Sequence, residues 1–179
     1  VGPADTVRVL LLGPHADARQ FVFLCTLLGQ IGVTVCPVIP VASDSMRRMR
    51  HFYRQIDRPL RTAVTSRPLT ELLRQCDLAL WMGGPKGPCP ATVHSALAAG
   101  LPVIVPPDGA WVIPEPLRPR LVARNSTSAE LARLVQACVE HTEAINDEVK
   151  HAGSVSNDGF LAPILNRYSG RHFEPREPD

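Results

Sequence analysis

Apolar runs bounded by turn-forming residues divide the start of the chain into a short and a long segment. Val7 to Leu12 is apolar except for Arg8 and stops at Gly13, a pattern typical of a strand buried on both faces. The apolar residues from Phe21 to Ile31 then recur at intervals of three and four, and Gly32 ends the pattern as glycine does at a helix C-terminus. The sequence therefore predicts a strand followed by a helix.

The same alternation continues along the chain. The further strands are expected over Val33 to Ile39, Arg61 to Val64, Asp77 to Trp81, Leu101 to Val105 and Leu121 to Ala123. The further helices are expected from Ser43 or Asp44 to about Tyr53, and over Leu69 to Gln75, Ala91 to Ala99, Thr127 to Val149 and Asp158 to Tyr168. Ser126 or Thr127 is expected to cap the long helix, with Glu130 near the capping-box position.

Strands that alternate with helices at this spacing pair in parallel through right-handed crossovers. We therefore predict an α/β fold, a three-layer Rossmann-like parallel sheet with helices on both faces, over residues 1–170, followed by a polar tail over 171–179. Ligands of such sheets bind outside the carboxyl ends of the strands. The loops expected there are Gly13 to Arg19, Val64 to Arg67, Met82 to Pro90 and Pro106 to Glu115.

Length and charge narrow the class of protein. A chain of 179 residues with 45% hydrophobic residues suits one domain with its own core. Its 19 basic and 17 acidic residues are mixed along the chain, which argues against a dedicated nucleic-acid or membrane surface. One basic cluster, Arg47 to Arg54, alternates with apolar residues at helical spacing, so an amphipathic surface helix is favoured over a phosphate-binding patch.

The apolar runs and the cysteines argue against a membrane span, a metal site and a disulfide framework. No apolar run approaches the roughly 20 residues that span a bilayer. The five cysteines show neither a paired spacing nor nearby histidines, so we expect reduced thiols, no metal site and no disulfide framework. We expect a cytoplasmic domain that neither binds nucleic acid nor inserts directly into a membrane. Because the chain starts at Val1 rather than Met, we also expect it to be part of a longer protein.

The segment from Gly83 to Pro90 is the most informative loop. It packs six glycines and prolines into eight positions, carries Lys86, and leads into a helix whose N-terminus favours an anion. It matches neither a Walker A loop nor the dinucleotide-binding glycine pattern. Composition alone favours an ordinary strand-to-helix loop and leaves phosphate binding as the alternative.

Three segments carry a family resemblance. Leu69 to Leu80, Thr92 to Val105 and Trp111 to Glu115 resemble, in the same order, the C-terminal donor-binding domain of GT-B fold glycosyltransferases of the GT4 type, glycosyl transferases group 1. The likeness extends back to Val7 and forward to Val139, so it covers nearly the whole chain. The segment from Ala98 to Val103 is also similar to related GT-B proteins, including nucleotide-sugar 2-epimerases.

The resemblance implies a set of donor-binding residues and one departure from the family. Two family glutamates that contact the donor sugar and the ribose align with Gly87 and Ser95, so both carboxylates are missing. The resemblance implies no cofactor, since the nucleotide diphosphate sugar is a substrate, and it designates no catalytic residue. The candidate donor-binding residues are Gly13, His15, Lys86, Gly87, Thr92, Ser95 and Glu115. His94 and Asp108 are weaker candidates, with surface placement and turn capping favoured respectively.

Three functions remain open from the sequence, and the third, a different GT-B enzyme such as an epimerase, needs acids and histidines from both halves. The leading hypothesis is the nucleotide-sugar-binding domain of a glycosyltransferase, with a degenerate site, which transfers sugar only when joined to an N-terminal acceptor domain and is inactive alone. The alternative is a non-catalytic pseudo-glycosyltransferase module for binding or assembly. The expected partners are a nucleotide sugar and a second GT-B domain or a partner protein. An α/β half with cleft residues upstream would favour the enzyme.

Overall fold

Five parallel strands form the centre of the molecule. The computed structural model describes residues 6–13, 17–56, 61–84 and 87–152. The strands are β1 Val7–Leu11, β2 Val35–Pro40, β3 Ala63–Thr65, β4 Leu78–Leu80 and β5 Val103–Ile104, in the order β3-β2-β1-β4-β5. In register, Val9 of β1 lies between Pro37 of β2 and Leu78 of β4. The sheet confirms the predicted strands up to β5 and their parallel pairing.

Helices cover both faces of this sheet. They are α1 Ala18–Gln30, α2 Met46–Ile56, α3 Leu69–Gln75, α4 Pro90–Ala98, α5 Arg118–Leu121, α6 Ser128–Glu140 and α7 over 142–152. Because parallel crossovers are right-handed, α1 and α2 lie on one face, and α3 and α4, which carry the chain the other way, lie on the opposite face. α6 packs against α1. The predicted three-layer α/β fold is therefore confirmed.

The core explains why the strand patterns were readable. Val9, Leu10 and Leu11 of β1 and all three residues of β4 are buried, since helices cover both faces of the central strands. On α1, Phe21, Leu24 and Leu28 are buried at intervals of three and four. A strand that is covered on both faces needs apolar residues throughout, and a helix that covers the sheet needs them on one side only.

The long helix predicted over Thr127 to Val149 is wrong in one respect, because it is broken at His141, where the backbone has φ −119° and ψ 30°. The Thr142 hydroxyl donates to the carbonyl oxygens of Cys138 and Val139, at 3.1 and 2.8 Å, at the end of α6. The predicted cap is confirmed, since the Thr127 side chain accepts the Glu130 N–H. The reciprocal half of the capping box is absent among the described contacts, because the Glu130 carboxylate pairs with Arg133 instead.

The predicted strand over Leu121 to Ala123 is reduced to a single bridge between Val105 and Val122. Short 3₁₀ turns over Pro107–Val112 and Glu115–Leu117, and then α5, occupy the stretch expected to be a loop and the start of that strand. Prolines within these turns have no N–H to donate to a ladder, which favours tight turns over extended pairing.

Two further expectations have different outcomes. The helix after β2 does not start from a Ser43 or Asp44 cap, because Ala42 precedes a 3₁₀ turn over Ser43–Ser45 that leads into α2. The predicted helix over Asp158 to Tyr168, the tail over 171–179 and thus the domain end at residue 170 lie outside the described residues.

Candidate functional site

The carboxyl edge of the sheet at β1 and β4 is the place to look for a ligand. The chain leaves β1 towards β2 and β3, and then returns to β4 on the other side of β1. The helices that follow β1 and β4 therefore lie on opposite faces, which opens a crevice at the ends of these two strands. Gly13, Trp81 and the loop after β5 surround this crevice.

Trp81, directly after β4, fills the floor of the crevice. Its indole is only 3% exposed. A Cβ atom added to Gly13 would lie 3.3 Å from Trp81 Cδ1 and 3.5 Å from Asp17 Oδ2. At the other end of the ring, a Cβ atom on Gly109 would lie 2.7 Å from Trp81 Cζ3. The ring is thus packed between two glycines from different loops, and it closes the floor of the crevice.

The turn before α4 is built from glycines. Gly83, Gly84 and Gly87 have φ values of 100°, 142° and 66°, which side chains rarely adopt. The Gly84 N–H donates to Asp108 Oδ2 at 3.4 Å, so the exposed Asp108 carboxylate reaches this turn from the loop after β5. The edge therefore has a carboxylate, although none lies between Leu78 and Pro107 in the sequence.

Trp111 forms the outer wall of the same turn. Its indole is 58% exposed, and a Cβ atom on Gly87 would lie 3.1 Å from Trp111 Cζ2 and 3.6 Å from Nε1. Exposed tryptophans combine a flat apolar ring with one N–H donor, and both are useful to a sugar or a base. Asp108 and Trp111 thus flank the segment that leads into α4.

The N-terminus of α4 offers few donors to an anion. Pro90 is its first residue and has no N–H, and the Val93 N–H is bonded to the Cys89 carbonyl. The Thr92 hydroxyl and the N–H groups of Thr92 and Ala91 lower the pKa of the exposed Cys89 thiol, although no regular capping hydrogen bond forms. The N–H groups of Ala91 and Thr92 are thus the donors that this first turn could offer to a phosphate, in place of their contacts with the Cys89 thiol.

The structure brings together some of the predicted donor-binding residues. Gly13 and Gly87 lie at the carboxyl edge, and Thr92 lies in the first turn of α4. The exposed Ser95 follows one turn later. His15 and Lys86 lie outside the described residues.

The other predicted residues stand apart from this group. Glu115 is exposed at the start of a 3₁₀ turn, and no described contact joins it to Gly13, Gly87 or Thr92. His94 is half-buried on α4, and burial lowers the pKa of its imidazole, so the ring is neutral at neutral pH. Within the described ranges, no group of three or more metal-ligating side chains occurs, and no helix has the length and apolarity needed to cross a membrane.

Sequence reasoning missed the parts played by Trp81 and Trp111 and gave Asp108 a lower rank. Trp81 ends a buried strand just before two glycines, which is a signal for a side chain at the carboxyl edge. Trp111 and Asp108 come from the loop after β5, and their approach to the β4 loop depends on the pairing of β4 with β5. No sequence pattern within either loop shows that contact.

The comparisons with known proteins agree with this architecture. No protein-family model matches the sequence, and no curated protein sequence is similar enough to count as a relative. The catalytic domain of a cholesterol-alpha-glucosyltransferase from Helicobacter pylori is similar in structure, with a TM-score of 0.60 and 10% identity over 82% of this chain and 96% of that one. The C-terminal CMP-Kdo binding domain of WaaA from Acinetobacter baumannii has a TM-score of 0.59 and 10% identity, over 84% and 89% of the two chains.

A longer neighbour shares this fold over about half of its own length. Anabaena HepE, solved in complex with UDP and glucose, has a TM-score of 0.61 and 19% identity. The match covers 92% of this chain but only 49% of HepE. At such low identity the likeness shows the fold alone. The chain has the Rossmann-like fold of one half of a GT-B glycosyltransferase.

Proposed function

We propose that this chain binds a nucleotide sugar at the carboxyl edge, between the loops after β4 and β5, as the donor-binding half of a glycosyltransferase. The observation that carries the proposal is the convergence of Asp108 and Trp111 on the glycine turn that leads into α4. A carboxylate, an exposed aromatic face and a helix N-terminus match the three parts of such a ligand, which are its hydroxyl groups, its rings and its diphosphate. That three solved neighbours are a glucosyltransferase, a CMP-Kdo binding domain and a complex with UDP adds support.

Asp108 takes the role of a hydroxyl acceptor in this proposal. Its bond to the Gly84 N–H is long, at 3.4 Å, and the carboxylate is exposed, so its remaining lone pairs are available. A charge-assisted hydrogen bond contributes about 1.5–3 kcal/mol, and a vicinal diol can donate two bonds to one carboxylate. The ring of Trp111 supplies a face for the base or the sugar, and the N–H groups of Ala91 and Thr92, with Lys86, would hold the diphosphate.

Sugar transfer requires a second domain in this proposal. No catalytic residue is assigned to the chain, and it spans 49% of HepE. The chain alone is expected to bind the donor without turnover. An acceptor-binding half, in the same protein or in a partner, would face the carboxyl edge.

The test is a ligand titration of the 179-residue chain. Thermal unfolding is followed with UDP, GDP, ADP, CMP and their sugar derivatives, since a ligand at about one hundred times its Kd stabilises by about 2.7 kcal/mol. Calorimetry on Asp108→Asn and Trp111→Ala should show affinities about tenfold weaker or more. Glu140→Gln and Ile31→Ala, which change an exposed acid and an exposed apolar residue away from this edge, are the matched controls. No shift with any nucleotide at millimolar concentration would refute the proposal.

A second candidate function has its own support. The buried Trp81 indole on the crevice floor and Pro90 at the start of α4 both reduce what a donor could contact. These features favour a non-catalytic binding or assembly module. Absence of nucleotide binding, combined with an intact fold by circular dichroism, would favour this module over the donor-binding domain.

A further inference from the structure

Asp17 stands at the start of α1 without capping it. Aspartate is among the residues that most often accept a backbone N–H at a helix N-terminus. Asp17 occupies the capping position, yet its side chain makes no capping hydrogen bond. Its backbone has φ −83° and ψ −7°, in the helical region rather than the extended region that a capping residue usually adopts. The carboxylate is therefore not used to complete the helix.

The carboxylate lies instead beside the crevice. Asp17 Oδ2 is 3.5 Å from the position of a Cβ atom on Gly13, and Trp81 Nε1 is 3.7 Å from that same position. A hydrogen-bond acceptor and a hydrogen-bond donor thus approach one point just after β1, where glycine provides no side chain. Gly13 is exposed, so this point borders the opening of the crevice.

The protein itself does not satisfy this carboxylate. Oδ2 is buried, and within the described ranges neither carboxylate oxygen of Asp17 accepts a hydrogen bond or joins an ion pair. Burial raises the pKa of Asp17, because desolvation disfavours the charged form. An acid that gives up a helix cap for an unsatisfied, desolvated position costs the fold stability, and groups of this kind concentrate at functional sites.

We propose that Asp17 is a specificity-determining residue of the donor site, and that its carboxylate accepts a hydrogen bond from a hydroxyl group of the donor sugar. The inference rests on the proposed function. A hydroxyl group can donate to the Asp17 carboxylate and accept from the Trp81 N–H at the same time. Neither a phosphate, which the carboxylate repels, nor an apolar ring makes both contacts.

The order of the strands assigns the sugar, rather than the base, to Asp17. β4 lies between β1 and β5, so the loops after β1 and β5 flank the loop after β4. Asp17 follows β1, α4 follows β4, and Trp111 follows β5. Two strand spacings, about 10 Å, separate β1 from β5, which suits an elongated ligand that crosses the edge. With the base on the Trp111 ring and the diphosphate at the N-terminus of α4, the sugar meets Asp17.

Calorimetry with a nucleotide and its sugar derivative, such as UDP and UDP-glucose, tests the proposal on the 179-residue chain. The pair is chosen by the base that stabilises the chain most. Asp17→Asn removes a charge-assisted acceptor, so the nucleotide sugar should bind about tenfold more weakly or worse. The nucleotide alone should bind equally well or more tightly, because a negative charge near the diphosphate is removed. A general electrostatic effect would instead move both affinities in the same direction.

Stability separates this role from a structural one. Removal of an unsatisfied charge should leave the Tm of Asp17→Asn unchanged or higher, although the sugar derivative binds more weakly. Asp17→Ser, which can cap α1, is the second variant and should lose the preference for the sugar derivative to the same extent. A lower Tm in both variants would assign the carboxylate to the fold and overturn the proposal.

The matched control is Asp147→Asn, which changes an exposed acid on α7 and should leave both affinities as they are. Unchanged binding of the sugar derivative to Asp17→Asn, or an equal loss for both ligands, would overturn the assignment of Asp17 and leave the proposed function intact. If the folded original chain binds neither ligand of any pair, the proposed function fails and the assignment fails with it.

Discussion

Replacing Gly109 by alanine probes the packing of Trp81 beneath the loop after β5. The added Cβ would lie 2.7 Å from Trp81 Cζ3, 2.9 Å from Cε3 and 3.0 Å from Val105 Cβ. Such distances are far below van der Waals contact, and neither neighbour can move easily, since Trp81 is 3% exposed and Val105 is fully buried. Forcing one extra carbon into a packed core costs about 1–3 kcal/mol, which we expect as the loss of unfolding free energy.

Urea denaturation measures this loss, and Gly29 provides the control. Gly29 lies within α1 with nothing within 4 Å of an added Cβ, so Gly29→Ala should gain about 0.5–1 kcal/mol through helix propensity. The same chemical change is thus expected to have opposite signs at the two positions. For a chain of this length, each kcal/mol corresponds to about 2–4 °C in Tm.

A double-mutant cycle identifies the cause of the Gly109 effect. Trp81→Phe removes the benzo atoms Cε3 and Cζ3 that the new methyl group would meet. Gly109→Ala should therefore cost less in the Trp81→Phe background, with a coupling of about 0.5–3 kcal/mol. If Gly109→Ala proves neutral, or costs the same in both backgrounds, the placement of the indole on the crevice floor is wrong.

Two further predictions concern titrating groups. Cys89 should be alkylated before Cys76 and Cys138 at neutral pH, because contacts with Thr92 lower the pKa of its thiol. Burial instead raises the pKa of Cys76 to about 11 and of Cys138 to about 12. Mass spectrometry follows the alkylation, and equal rates at the three thiols would contradict the prediction. The hydrogen bonds from Arg133 lower the pKa of Glu130 from 4.5 to about 2. The contribution of Glu130 to the free energy of unfolding is therefore complete above pH 4.5 and is lost as the pH falls towards 2. The difference in urea midpoint between the chain and Glu130→Gln should vanish over that range, and a constant difference would refute the assignment.

The fold could be predicted from the sequence because its signals are local. β1 is an apolar run followed by Gly13, and the periodic α1 ends at Gln30, two residues before Gly32, so each boundary has its own residues. The break at His141 escaped this reasoning, because the apolar pattern continues through Ile145 and Val149, which are buried in α7. A helix that bends around a core keeps its apolar periodicity on both sides of the break.

The site could be predicted only in outline, because its parts meet through sheet pairing. The sequence pointed to the loop at Gly87 and the start of α4, which are continuous in the chain. The approach of Asp108 and Trp111 to that loop follows from the alignment of β4 with β5, where Leu80 pairs with Ile104. Neighbouring strands bring loops together at one edge, but the sequence does not specify which side chains meet there.

The structure gives a local reason for the glycine at one of the two positions where the resemblance expects a glutamate. Gly87 stands where the resemblance expects the first glutamate, yet its φ of 66° and the Trp111 ring 3.1 Å from an added Cβ disfavour a side chain there. Restoring a glutamate at position 87 would therefore strain the turn and displace Trp111. Asp108 brings a carboxylate to the same turn from the other loop. A donor at this edge would be held by Asp108 and Trp111, which is why those two residues, and not restored glutamates, are the decisive variants.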